Sequence, residues 1–216
     1  MTDALAGLLT ATPSTTSQQF FNQLFAGRDT VATMADVLAV IANTPMYTFK
    51  AGGPQVLLER ACINRMASKV GFDPGDGIFT PGGSLSNMAA LIIARNEAFE
   101  GSRESGPTGV RPVVYTSEEC HYSVRKGAGM VGIGRGNVRF VPTDGHARMD
   151  PGALRSMIQE DMAAGHAPVM INATSGTTVQ GAFDPIAEIA DIAQELGVWL
   201  HVDAAWGGAV LLCEDK

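Results

Sequence analysis

The sequence predicts an α/β fold built on a largely parallel sheet. Three observations carry that expectation. Short apolar or β-branched runs, bounded by turn residues, recur from Pro112 onward. Helical patterns lie between them, and strand–helix alternation is how parallel sheets are built. The run Val198–Asp203 is apolar along nearly its whole length, as a strand covered on both faces must be.

Taken in order, residues 1–50 form an N-terminal segment: a polar lead-in, then short amphipathic pieces, with a break at Thr44-Pro45. Residues 51–216 are expected to form one large-domain unit. A helical pattern runs from Gln55 to Val70 and stops at Gly71. The predicted strands are Pro112–Thr116, Val138–Val141, Pro168–Asn172 and Val198–Asp203. The predicted helices lie near Leu85–Phe99, Glu118–Met130, Pro151–Ala163 and Pro185–Leu196. For the last of these, Asp184 is placed to cap, Pro185 suits the first helical position and Gly197 closes the helix. Ile186, Ile189, Ala190, Ala193 and Leu196 then share one face. In such sheets ligands bind beyond the carboxyl ends of the strands, so the chemistry is expected there.

Composition narrows the function. With 216 residues and 45% hydrophobic content, the chain can build a sizeable core. A net charge of −7 argues against a nucleic-acid partner, which would need a basic surface. The apolar stretch Ala89–Ala94 is too short to span a bilayer, and Met1–Ser17 has no basic residue ahead of its apolar piece, so neither membrane insertion nor secretion is expected. Cys62, Cys120 and Cys213 stand far apart, which points to reduced thiols in the cytoplasm. His121, His146, His166 and His201 show no i, i+4 pairing, so no metal site is expected.

Four segments could carry chemistry. Thr80-Pro81-Gly82-Gly83-Ser84-Leu85-Ser86-Asn87 opens a helix, where free amides and the positive dipole end suit an anion such as a phosphate. Ser84 or Ser86 could add a hydroxyl; a serine cap without ligand is the plainer reading. Val198–Asp203 delivers Asp203 to a strand end, ahead of small Ala204 and Ala205. A buried carboxylate there needs a partner, and the protonated ring nitrogen of pyridoxal phosphate is one that would suit it. In Ser117–Ser123, His121 could stack on a planar cofactor or lie on a helix surface. Asn172–Thr178 clusters hydroxyls at another strand end, for a ligand or for its own backbone. Gly127-Ala128-Gly129-Met130-Val131-Gly132 matches Gly-x-Gly-x-x-Gly but ends a helix pattern, so it is read as a terminator and not as a nucleotide site. His201 is read as a satisfied core histidine.

Order and wording together say more. The segments 77–88, 116–123, 172–178, 181–186 and 201–208 closely resemble the group II pyridoxal-phosphate-dependent decarboxylases. The nearest branch is that of glutamate and cysteine-sulfinate decarboxylases, which Phe20–Phe25 also matches. The resemblance runs from about residue 18 to the end of the chain. It implies an aspartate-aminotransferase-like large domain (fold type I) and a homodimer binding pyridoxal 5'-phosphate. It further implies that Gly83 and Ser84 contact the phosphate, His121 stacks on the ring, and Asp203 pairs with the ring nitrogen. Ala205 would pack beside the ring, Thr174 would lie near it, and Gln23 would lie in the substrate pocket. The implied reaction is decarboxylation of an acidic amino acid to its amine and carbon dioxide.

Two departures follow from the same resemblance. The family's Schiff-base lysine follows a histidine about thirty residues beyond the strand-end aspartate. Lys50, Lys69, Lys126 and Lys216 do not match that motif, so the chain as given is expected to be inactive and to fold poorly alone. In Asn43-Thr44-Pro45-Met46-Tyr47 a proline stands where related enzymes carry a polar pocket residue, which leaves glutamate, aspartate and cysteine sulfinate all open. The alternatives are a truncated product that binds only cofactor or a partner, or another fold-type-I lyase.

Overall fold

The computed structural model describes residues 2–22, 24, 27–107 and 109–213. Its internal contacts divide into two units, Met1–Met66 and Ala67–Lys216.

The first unit is helical. α1 (Thr2–Ala11) forms where the sequence reads as a polar lead-in. Its Ala and Leu residues favour helix, and Asp3 in the first turn complements the helix dipole. α2 (Thr30–Ala42) is capped by Asp29, whose carboxylate accepts from the Ala32 N–H at 2.8 Å, and is closed by Asn43 in the left-handed region. Neither α1 nor α2 buries a residue. α3 (Phe49–Gly52) is a single turn, and α4 (Pro54–Lys69) follows the pattern read from Gln55. The boundary between units falls inside α4, beyond the division at residue 50 expected from the sequence.

The second unit is the expected α/β domain. Its elements are α5 (Gly83–Ala98), α6 (Ser102–Ser105), β1 (Pro112–Ser117), α7 (Ser123–Met130), β2 (Val138–Val141), α8 (Pro151–Ala163), β3 (Ala167–Thr174), α9 (Ile186–Leu196) and β4 (Trp199–Asp203). All four strands pair in parallel, in the order β2-β1-β3-β4. Both faces are covered, with the period of two that a strand imposes. Val113, Tyr115, Ile171 and Ala173 pack with Leu154 and Ile158 of α8 and with Ile189 and Ile192 of α9. Val114 and Met170 point the other way, into a cluster with Leu91 of α5 and Val124 and Ala128 of α7. Each of the Val, Leu, Ile and Met side chains contributes about 1.5–3 kcal/mol on burial, which makes this double-sided core the main source of stability.

Two expectations are corrected here. α7 begins at Ser123 and not at Glu118: the chain first turns, with the Cys120 N–H donating to the Ser117 carbonyl at 3.2 Å. Asp184 does not cap α9. Its buried carboxylate instead accepts the backbone N–H groups of Met149 and Thr174, both at 2.7 Å. Burial pushes its pKa up, and the two amides counter that.

The winding decides where a ligand can enter. From β1 the chain crosses to β2 on one side, then returns to lay down β3 and β4 on the other. The direction reverses between β1 and β3, and such a reversal opens a crevice at the carboxyl ends of the strands.

Candidate functional site

The parallel register sets Thr174, the last residue of β3, directly beside Asp203, the last residue of β4. The turn after β1 supplies His121, the turn after β4 supplies Ala205, and the start of α5 supplies Gly83 and Ser84. These six residues, scattered over 123 positions of sequence (205 − 83 + 1), line one cleft. Gln23 lies outside the described residues.

The entry into α5 is built on two glycines. Gly82 holds a φ of 105°, a conformation that a side chain strongly disfavours. A Cβ on Gly83 would come within 3.0 Å of the Ala205 Cβ, so a side chain there would press into the cleft. No side chain caps α5, which rules out the serine-cap reading and leaves its opening amides to some other acceptor. Ser84 lines the cleft, whereas the Ser86 hydroxyl is held at 2.6 Å by Thr80.

Asp203 is only 8% exposed. One carboxylate oxygen accepts from the Ala205 N–H at 3.1 Å, the other from the Asn87 amide at 2.8 Å. Both donors are neutral, and no cation lies within ion-pair distance among the described residues. His121 sits at the strand end with its Nδ1 2.8 Å from the Ser123 hydroxyl. The hydroxyl cluster divides into two kinds. Thr177 Oγ1 accepts from the Ala182 N–H at 3.0 Å and shapes the loop. Thr174 Oγ1 is buried and has no partner among the described residues, although its backbone N–H is bound to Asp184.

A family model of the pyridoxal-dependent decarboxylase conserved domain matches residues 2–216. The chain belongs to that decarboxylase family. The acidic amino acid decarboxylase of Bos taurus is 46% identical over 199 residues, covering 92% of this chain and 38% of that protein. The cysteine sulfinic acid decarboxylase of Homo sapiens is 45% identical over 197 residues, covering 91% of this chain and 40% of that protein. The crystal structure of mouse CSAD in apo form superposes with a TM-score of 0.95 at 41% identity, covering 98% of this chain and 45% of that one. The chain therefore spans well under two thirds of the relatives it matches. Its sheet and flanking helices are those of the fold-type-I large domain shared by these decarboxylases.

Asn87, Gly176, Thr178 and Trp206 also line the decarboxylase-family cleft; each falls in a segment singled out from the sequence, but none was assigned a role of its own. Asn87 is the most informative. It is 2% exposed and binds Ser123 at 2.9 Å, Asp203 at 2.8 Å and His201 at 2.8 Å. The available signal was its spacing: three and four residues after Ser84 and Gly83, it falls on the same helix face. His201 is a satisfied histidine, as expected. Burial lowers its pKa and keeps the ring neutral, against the opposing pull of the Asp203 charge.

These residues fit the family's pyridoxal phosphate. An uncapped helix start suits its phosphate, and a buried carboxylate without a cation suits its ring nitrogen. The unpartnered Thr174 hydroxyl has a donor to give, and Gly83 and Ala205 keep the cleft open.

Proposed function

We propose that this chain supplies the cofactor-binding wall of a pyridoxal-phosphate-dependent decarboxylase acting on an acidic L-amino acid. The observation that carries the reading is the convergence of Gly83, Ser84, His121, Thr174, Asp203 and Ala205 on one cleft at the switch point of the sheet. The relatives named for acidic amino acids and for cysteine sulfinic acid support the substrate class.

When bound, the cofactor supplies an electron-withdrawing ring that takes up the electron pair left as the carboxylate departs. The chain's own residues prepare the site for that. The start of α5 holds the phosphate through the amides at Gly83 and Ser84, with the Ser84 hydroxyl beside them. Asp203 keeps a proton on the ring nitrogen, since a buried carboxylate without a cation gains most from a charged partner. His121 would cover one face of the ring, and Ala205 would pack beside it. Thr174 would donate its free hydroxyl to the cofactor.

The family resemblance also implies a homodimer. Support comes from α2, on which Met34, Leu38 and Ile41 are all exposed and nothing is buried, an apolar surface that a second copy would cover.

The test is cofactor titration of the full-length protein, followed by carbon dioxide release from glutamate, aspartate and cysteine sulfinate. Saturable binding and release from at least one acid is the expected result. Binding without release from any of the three would remove the substrate class, and no binding would remove the reading.

A further inference from the structure

Asn87 makes more long-range polar contacts than any residue whose role is proposed above, and its hydrogens can be assigned one by one. Its Nδ2 lies 2.8 Å from Asp203 Oδ2 and 2.9 Å from Ser123 Oγ, and its Oδ1 lies 2.8 Å from His201 Nε2. A carboxylate only accepts, so the amide must turn its NH2 toward Asp203. Flipping it would set oxygen against oxygen. With that orientation fixed, Oδ1 accepts, and His201 must carry its hydrogen on Nε2. The second Nδ2 hydrogen goes to Ser123 Oγ, which leaves the single Ser123 hydroxyl proton to point at His121 Nδ1, 2.8 Å away. The Ser123 backbone N–H approaches the same nitrogen at 3.3 Å. His121 Nδ1 therefore accepts, and the ring carries its hydrogen on Nε2.

We propose that Asn87 is the positioning residue of this site: one buried amide fixes the Asp203 carboxylate and, through Ser123, the tautomer of His121. The proposal rests on the cofactor reading above. Asp203 and His121 are there assigned to the ring nitrogen and a ring face, and a single side chain sets both. The relay has a direction. It starts from the negative charge on Asp203, passes through the Asn87 amide and the Ser123 hydroxyl, and ends at the His121 ring.

The experiment uses the full-length protein with 15N-labelled histidine, first without cofactor. The His121 nitrogens are read by NMR in the wild type, in Asn87→Leu and in Ser123→Ala. Affinity for pyridoxal phosphate is then measured in all three. In the wild type, His121 should show an unprotonated Nδ1 and a protonated Nε2. Both substitutions should release it into a mixture of tautomers. Asn87→Leu should weaken cofactor affinity about tenfold, the scale of a lost hydrogen bond to a charged group. Ser123→Ala leaves the bond to Asp203 intact and should cost less than about threefold. A wild-type His121 protonated on Nδ1, a tautomer unmoved by Ser123→Ala, or equal affinity losses in the two variants would each overturn the proposal. The wild-type and Ser123→Ala spectra decide it even where Asn87→Leu does not fold. A wild type with the stated tautomer but no cofactor binding would sink the function above and leave the relay standing.

Discussion

Asp161 and Asp203 are both buried carboxylates of the α/β domain, and their partners differ in kind. Asp161 Oδ2 accepts from the Tyr115 hydroxyl at 2.9 Å and from Arg139 Nε at 3.0 Å. Its Oδ1 accepts from Arg139 Nη2 and from His166 Nδ1, both at 2.8 Å. Burial works to raise its pKa, yet the bonds from Arg139, His166 and Tyr115 prevail and hold it at about 2. Asp203 has half as many donors, all neutral, and no cation among the described residues. A carboxylate that ties helix to sheet is saturated with donors. One that waits for a ligand keeps acceptor capacity and uncompensated charge. The two aspartates are thus separable by experiment, one through stability and the other through binding and turnover.

The largest effect should come from the saturated site. Asp161→Ala strips Arg139 of its carboxylate and leaves the fully buried Tyr115 hydroxyl without an acceptor. Breaking such a pair from one side costs about 4 kcal/mol, read as a fall in the denaturation midpoint. Turnover per folded molecule should stay near wild type. Next comes Asp203→Asn in the full-length protein. It keeps the shape and removes the charge that, on the proposed function, would hold the ring nitrogen protonated. A rate loss of at least about a hundredfold is expected, roughly 3 kcal/mol of transition-state stabilisation. Cofactor affinity should fall much less, because the start of α5 is untouched. Near wild-type turnover would make Asp203 a structural residue like Asp161.

The same contrast explains what the sequence disclosed. β2 and α8 have the bounds read from residue pattern alone, because local signals decide them: a short run with a valine at each end in one case, Asp150 and Pro151 at the helix start in the other. The end of β4 was legible for the same reason and carries Asp203 into the cleft, whereas β3 runs two residues past the expected Asn172, to Thr174. Asp184 was misread. An aspartate before a proline looks like a helix cap, but its partners at Met149 and Thr174 lie 35 and 10 residues away. The start of α7 was misplaced because local bonds turn the chain first: the Cys120 N–H donates to the Ser117 carbonyl, and the Ser123 hydroxyl lies against His121 Nδ1 two residues back. Asn87 was missed because Ser123, His201 and Asp203 lie 36, 114 and 116 residues away. One more polar residue after Ser84 and Ser86 at a helix start carries little signal of its own.

Acid should expose the contribution of Asp161 without any mutation. The folded-state pKa of Asp161, about 2, lies below its ordinary 3.8. A depressed carboxyl contributes stability that is fully present above about pH 4 and is lost as pH falls toward 2. The contribution is on the order of 2 kcal/mol. Wild-type stability should therefore drop across that window, and the drop should shrink by a similar amount in Asp161→Ala. An unchanged acid profile would mean that Asp161 is not the titrating group.

The smallest effect sharpens the comparison at the level of single hydroxyls. Thr174 ends β3 and Thr177 lies in the loop that follows; both are buried, and valine matches their shape. Thr177 Oγ1 accepts a backbone N–H from Ala182, so Thr177→Val leaves that amide unpaired and should cost about 1 kcal/mol of stability. Thr174 Oγ1 has no partner among the described residues. Removing it takes away a buried polar atom that gains nothing in the folded protein, so Thr174→Val should leave stability unchanged or raise it by less than about 1 kcal/mol. Its backbone bond to Asp184 does not depend on the side chain and should persist. Cofactor affinity should move the other way, falling about threefold to tenfold as the hydroxyl's bond to the ligand is lost. Thermal denaturation and cofactor titration of the two variants give a crossed pattern: Thr177→Val loses stability and keeps affinity, and Thr174→Val does the reverse. If Thr174→Val loses stability while affinity holds, its hydroxyl serves the fold, and the free polar atoms of the cleft are no guide to where the ligand sits.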